Sequence, residues 1–202
     1  MTAGSLAMPR RPAPLPAAPE PVVSNTQLAI VIVIVAETML FVGLVGMYLV
    51  FRLSAPVWPP PDLPRLPVGI TALNTLVLLG SLIPLTLALR GARRHEPTGR
   101  GGVQVAALLG ALFLAVQGAE WLRLLAHGLT PGGSTYGGSF YLLIGCHATH
   151  VLVAVLWLVA LAVRERRARR GWSSWAGLEM CTVYWYFVCG LWLFLFPLVY
   201  LH

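Results

Sequence analysis

The chain of 202 residues is 57% hydrophobic and 10% charged, where an ordinary soluble domain is about 45–50% apolar and about 25% charged. A fold this poor in charge cannot cover its surface with groups that water solvates, which excludes a water-soluble globular protein, and its long apolar stretches exclude a disordered chain. What remains is a polytopic membrane protein of a length that suits one domain.

Residues 1–27 hold six prolines and few large apolar side chains. They read as a flexible cytoplasmic tail without the continuous apolar core of a cleaved signal peptide. Five apolar runs follow, at about 28–51, 68–89, 103–126, 139–163 and 178–201, and form one membrane domain over 28–202. At 22–25 residues each, these runs would make helices of roughly 33–37 Å, enough to cross a hydrocarbon core of about 30 Å. Only helices and closed barrels satisfy their backbone there, and the runs lack the strict alternation of barrel strands. The fold class expected is an all-α integral membrane bundle of five transmembrane helices.

Fourteen basic residues, all arginine, stand against seven acidic ones, for a net charge of +7. The arginines lie in short loops, where they set topology, so no nucleic-acid partner is expected. The tail carries Arg10 and Arg11, the second loop Arg90, Arg93, Arg94 and Arg100, and the fourth loop Arg164, Arg166, Arg167, Arg169 and Arg170. The opposite side has only Arg52, Arg65 and Arg123. Positive charge stays inside, so the N-terminus is expected in the cytoplasm and the C-terminus outside. Trp58, Trp121, Tyr136, Trp172, Trp175 and Tyr200 fall near run ends, where an interfacial aromatic belt belongs. Cys146, Cys181 and Cys189 sit in apolar runs at spacings that fit neither a disulfide framework nor a zinc site.

Charged groups inside the spans are costly. Glu37 lies nine residues into the first run with no basic residue within a turn of its own helix. It reads either as a proton-related or lipid-contacting site, or as a neutral acid bonded to a neighbouring helix as packing glue. Glu120 and Arg123, three apart near the outer end of the third run, can pair on one face. His147 and His150 are also three apart, in the fourth run. His147 and Glu120 share a level, and a hydrogen bond between them is expected. No second run offers a mid-depth histidine for a bis-histidine haem, and two histidines fall short of a zinc site. No metal or haem is therefore expected in this chain. Glu179 sits where a carboxylate would favour the start of the fifth helix. Asn74, Thr75, Gln104 and Gln117 are expected to hydrogen-bond between helices, and Gly43, Gly46, Gly110, Ala111, Gly118 and Gly145 to permit close approach.

Seven segments occur in an order that resembles one family. They are Ala36-Glu37-Thr38-Met39-Leu40-Phe41, Trp58-Pro59-Pro60, Leu73-Asn74-Thr75, Gln117-Gly118-Ala119-Glu120-Trp121, Tyr136-Gly137, His147-Ala148-Thr149-His150-Val151, and Tyr184-Trp185-Tyr186-Phe187-Val188 running to Leu191-Trp192-Leu193-Phe194. Together, over about 28–202, they resemble subunit III of the haem–copper oxidases, in a short five-helix form. Tyr186 and Cys189 stand where the family usually has His and Asp. The family's lipid-filled cleft, built with two further helices, would be missing here or completed by another subunit.

The resemblance implies a non-redox subunit of an aerobic terminal oxidase in a bacterial cytoplasmic membrane. It would pack on subunit I beside subunit II, contact membrane lipids, and support proton uptake and stability of the complex. Haem and copper would sit in the partner subunits. Glu37 matches the family's buried carboxylate, Glu120 its Q-x-x-E acid, and His147 with His150 its histidine pair. An accessory subunit of nitric oxide reductase is the alternative within the resemblance. A stand-alone proton-coupled carrier or channel, with Glu37 binding the coupling proton, is the alternative of another class.

Overall fold

The computed structural model describes residues 25–61, 63–94, 101–167 and 176–201. The tail up to residue 24, and with it Arg10 and Arg11, lies outside these residues, as do His95, Arg100, Arg169, Arg170, Trp172, Trp175 and His202. The described residues form helices and no strands: α1 (Asn25–Ser54), α2 (Val68–Gly80), α3 (Leu82–Arg93), α4 (Gly102–Ala126), α5 (Thr135–Arg167) and α6 (Ala176–Tyr200). α2 and α3 make one span, so five helical segments are long and apolar enough to cross a membrane.

The element ends follow from local chemistry. α1 stops just before Ala55-Pro56, because proline disfavours helical geometry in the residue ahead of it. α4 ends in a Schellman turn. Gly128, at φ +92, takes the left-handed conformation that follows many helices. Its N–H bonds the carbonyl of Leu125, and the Leu129 N–H reaches back to that of Leu124. The leucines at both ends of the turn are buried, which seals it.

The second span departs from the single run expected over 68–89: it extends to Arg93 and is interrupted at Ser81. Pro84 is the physical reason. It has no N–H for the carbonyl of Gly80, and its ring crowds that carbonyl. At the break, the Ser81 hydroxyl donates to the carbonyl of Leu78 at 2.5 Å and accepts the Trp185 indole N–H at 2.9 Å.

Around the bundle, α1 packs on α5, α5 on α4, α4 on α2 and α3, these on α6, and α6 on α1, with α5 and α6 also in contact across the middle. α6 carries the large core side chains Trp185 and Trp192, both fully buried. Gly110 of α4 admits the first of them: a methyl built at Gly110 would lie 2.6 Å from Trp185 and 2.8 Å from Val155. The other glycines expected to allow close approach, Gly43, Gly46, Gly118 and Gly145, face open space, and Ala111 is exposed. Tyr136 and Tyr200 also depart from the expected aromatic belt. They are buried because each turns inward onto other rings, Tyr136 onto Trp58 at 4.9 Å and Tyr200 onto Phe196 at 5.5 Å.

The contrast between Gly110 and Gly118 gives a direct test. Gly110→Ala forces a methyl into a filled space and is expected to cost about 1–3 kcal/mol. Gly118→Ala meets nothing and is expected to be neutral, or stabilising by up to about 1 kcal/mol. Unfolding midpoints of the two variants, measured side by side in one detergent, check this.

Candidate functional site

Three helices converge on Glu37. α1 carries the carboxyl into the bundle, where it is half-buried. From α6, the Tyr184 hydroxyl donates to Glu37 Oε1 at 3.0 Å. From α5, His150 Nε2 stands 3.8 Å from the same oxygen. The other oxygen, Oε2, is buried and meets no protein donor or acceptor.

The tautomer of His150 follows from its second contact. Its Nδ1 lies 2.7 Å from the carbonyl of Cys146. A carbonyl can only accept, so Nδ1 bears a proton. A neutral His150 therefore turns an Nε2 lone pair toward Glu37, and one proton decides the state of both groups. On the carboxyl it gives a neutral acid facing a neutral imidazole; on Nε2 it gives an ion pair. The arrangement can take up, hold or pass on one proton at an atom inside the membrane.

His147 lies one turn from His150 on α5 and is only 1% exposed. Its ring stacks on Trp192 at 5.1 Å and meets the edge of Phe41 at 6.3 Å. Phe41 also packs edge-on against His150 at 5.2 Å. Neither nitrogen of His147 has a protein partner.

The Glu120–His147 bond expected from their common depth is therefore not formed. Depth fixes the level of two side chains but not the direction each faces. His147 turns toward α1 and α6, while Glu120 accepts from Arg123 of its own helix at 2.8 Å. Glu179 does more than favour a helix start, since it forms an ion pair with Arg93 of α3.

The neutral polar residues tie the spans together. The Asn74 amide donates to the Phe113 carbonyl at 3.0 Å, and that of Gln117 to the Tyr200 hydroxyl at 3.0 Å. Gln104 donates to Glu165 at 3.3 Å. The Trp192 indole N–H donates to Thr75 at 2.9 Å, which fixes the ring that His147 stacks on. Tyr184 is the site residue that sequence reasoning missed, as nothing in the spacing joins side chains 147 positions apart.

Beside this cluster, α1 and α6 enclose an apolar groove of about 410 Å³. Thr38, Phe41 and Gly46 line one wall and Phe187, Leu191 and Phe194 the other. Phe41 thus borders both the groove and the two histidines. Among the described residues, no group of three or more His, Cys, Asp or Glu side chains is placed to hold a metal ion.

Residues 17–202 match the family model for cytochrome c oxidase subunit III. The chain belongs to that family. Its relatives include proteins named cytochrome c oxidase subunit 3. The one from Synechocystis sp. is 32% identical over 174 residues, covering 85% of this chain and 73% of the relative. The one from Thermostichus vulcanus is 28% identical, covering 86% of each chain. That of Corynebacterium diphtheriae is 31% identical, covering 81% of this chain and 82% of its own.

Buried and exposed contacts should respond differently to substitution. Thr75→Val leaves the buried Trp192 N–H without an acceptor, an expected loss of about 1–3 kcal/mol. Glu179→Gln weakens a pair whose arginine is half exposed, and should cost less than about 1 kcal/mol. Thermal unfolding of the two variants, followed by tryptophan fluorescence, orders the two effects.

Proposed function

We propose that this chain is the non-redox subunit III of an aerobic respiratory haem–copper terminal oxidase. It packs on catalytic subunit I beside subunit II in a bacterial cytoplasmic membrane, with its N-terminus in the cytoplasm. It supports proton uptake and stability of the complex, with haem and copper held by its partners. Its membership of the family and the names of its relatives favour this over a stand-alone carrier. The orientation rests on the arginines: Arg90, Arg93, Arg94, Arg164 and Arg166 gather at the end of the bundle where α3 and α5 finish.

The observation that carries the proton-related part is Glu37 held between the Tyr184 hydroxyl and the Nε2 of His150. That geometry sets an acid beside an imidazole nitrogen at 3.8 Å, close enough for a small side-chain shift to bring the two within proton-exchange distance. The groove between α1 and α6 suits an acyl chain of a membrane lipid, since its walls are apolar and it opens on the surface that lipid would cover.

The test uses the whole complex. A tagged chain should co-purify with a haem-containing partner, and its detergent extract should show a haem spectrum only when that partner is present. Stability in isolation together with proton flux in liposomes would instead identify a carrier. Glu37→Gln removes the exchangeable proton at nearly constant volume and is expected to slow proton uptake by the complex while its haem content stays the same. Unchanged uptake and turnover would reduce Glu37 to a packing role.

A further inference from the structure

The first observation is an unmet requirement. His147 is buried to 1% exposure, and neither of its ring nitrogens has a protein partner. A neutral imidazole has one N–H to donate and one lone pair to accept with, whichever tautomer it adopts. Stacking on Trp192 uses the face of the ring, while both nitrogens bond in its plane. The stack therefore satisfies neither. Leaving both unmet costs more than a hydrogen bond gains, and buried polar atoms without a protein partner generally bond to water.

The second observation is a complementary atom close by. Glu37 spends Oε1 on Tyr184 and His150, while its buried Oε2 has no protein partner. Phe41 links the two groups. It lies one turn above Glu37 on α1 and touches both histidines. His147 lies one turn from His150, and His150 is level with Glu37. His147 and Glu37 therefore lie about one helical turn apart along the bundle, roughly 4.5 Å for three residues of rise, with Phe41 and His150 as shared neighbours. Water is small enough to enter such a neighbourhood and bonds to two to four polar atoms at once, so it can serve both groups.

We infer that His147 and the free oxygen of Glu37 border an internal hydration site that holds one or more waters between them. The water donates to Oε2 and exchanges a hydrogen bond with His147, satisfying groups that no side chain reaches. His147 then joins the hydrogen-bonded chain that runs through Glu37 to Tyr184 without contacting Glu37 directly. The site stands whether Glu37 serves proton uptake or only packing.

The test is solid-state NMR on the full chain in lipid bilayers with ¹⁵N-labelled histidine, reading the transfer of water magnetisation to ring nitrogens. The His147 signal, identified by its loss in His147→Phe, should receive water magnetisation and exchange its N–H in D2O. Should that variant fail to fold, His147→Gln makes the same assignment. Glu37→Gln should shift the His147 nitrogen signals, because the water changes its partner. A His147 N–H that receives no water magnetisation and persists in D2O overturns the inference. A His147 spectrum indifferent to Glu37→Gln also overturns it, since the two groups then share no water.

Discussion

Hydrocarbon offers no hydrogen bonds, and most of the internal structure of this bundle answers to that constraint. Buried polar groups without water depend on partners in the protein, and several of those partners come from a different helix. Ser81 meets Trp185, Thr75 meets Trp192, Asn74 meets Phe113, and Gln117 meets Tyr200. Apolar side chains give little reason to prefer one rotation of a helix over another, because lipid is as apolar as leucine. These directional contacts choose the rotation. Two of them run from the second span to tryptophans of α6, and so they also set where the core is filled.

The same requirement makes the Glu37 cluster informative. An acid in a membrane helix draws a hydroxyl and an imidazole to itself from two other helices. Because the remaining nitrogen of His150 is held by a backbone carbonyl, Nε2 is the ring atom that faces the acid. Family membership gives the setting in which such a group acts, and the contacts of Tyr184 and His150 give it a form that chemistry can use.

The spans were legible in the sequence because hydropathy over 20 or more residues reports directly on whether a helix can sit in lipid. Glu37, His147 and His150 stood out for the same reason, as charges or imidazoles where few are tolerated. Their pairing was not legible. Placing Glu120 and His147 at one depth suggested a bond, yet the two face different neighbours. Tyr184 looked like one more aromatic in a run of them. Pro84 was visible, but its consequence three residues earlier, at Ser81, depends on an indole arriving from α6. Azimuth and long-range pairing are tertiary properties, and a single sequence does not state them.

Among the described residues, α1 packs only on α5 and α6. It thus leaves the ribosome before either of the helices it packs on. Glu37 must wait for Tyr184, 147 positions downstream, which at about 5–20 residues per second amounts to roughly 7–30 s of synthesis. Throughout that interval a carboxyl group lies at the translocon or in the bilayer without its eventual neighbours. Chains that stop short of Tyr184 therefore carry an acid in α1 that lacks its hydroxyl partner.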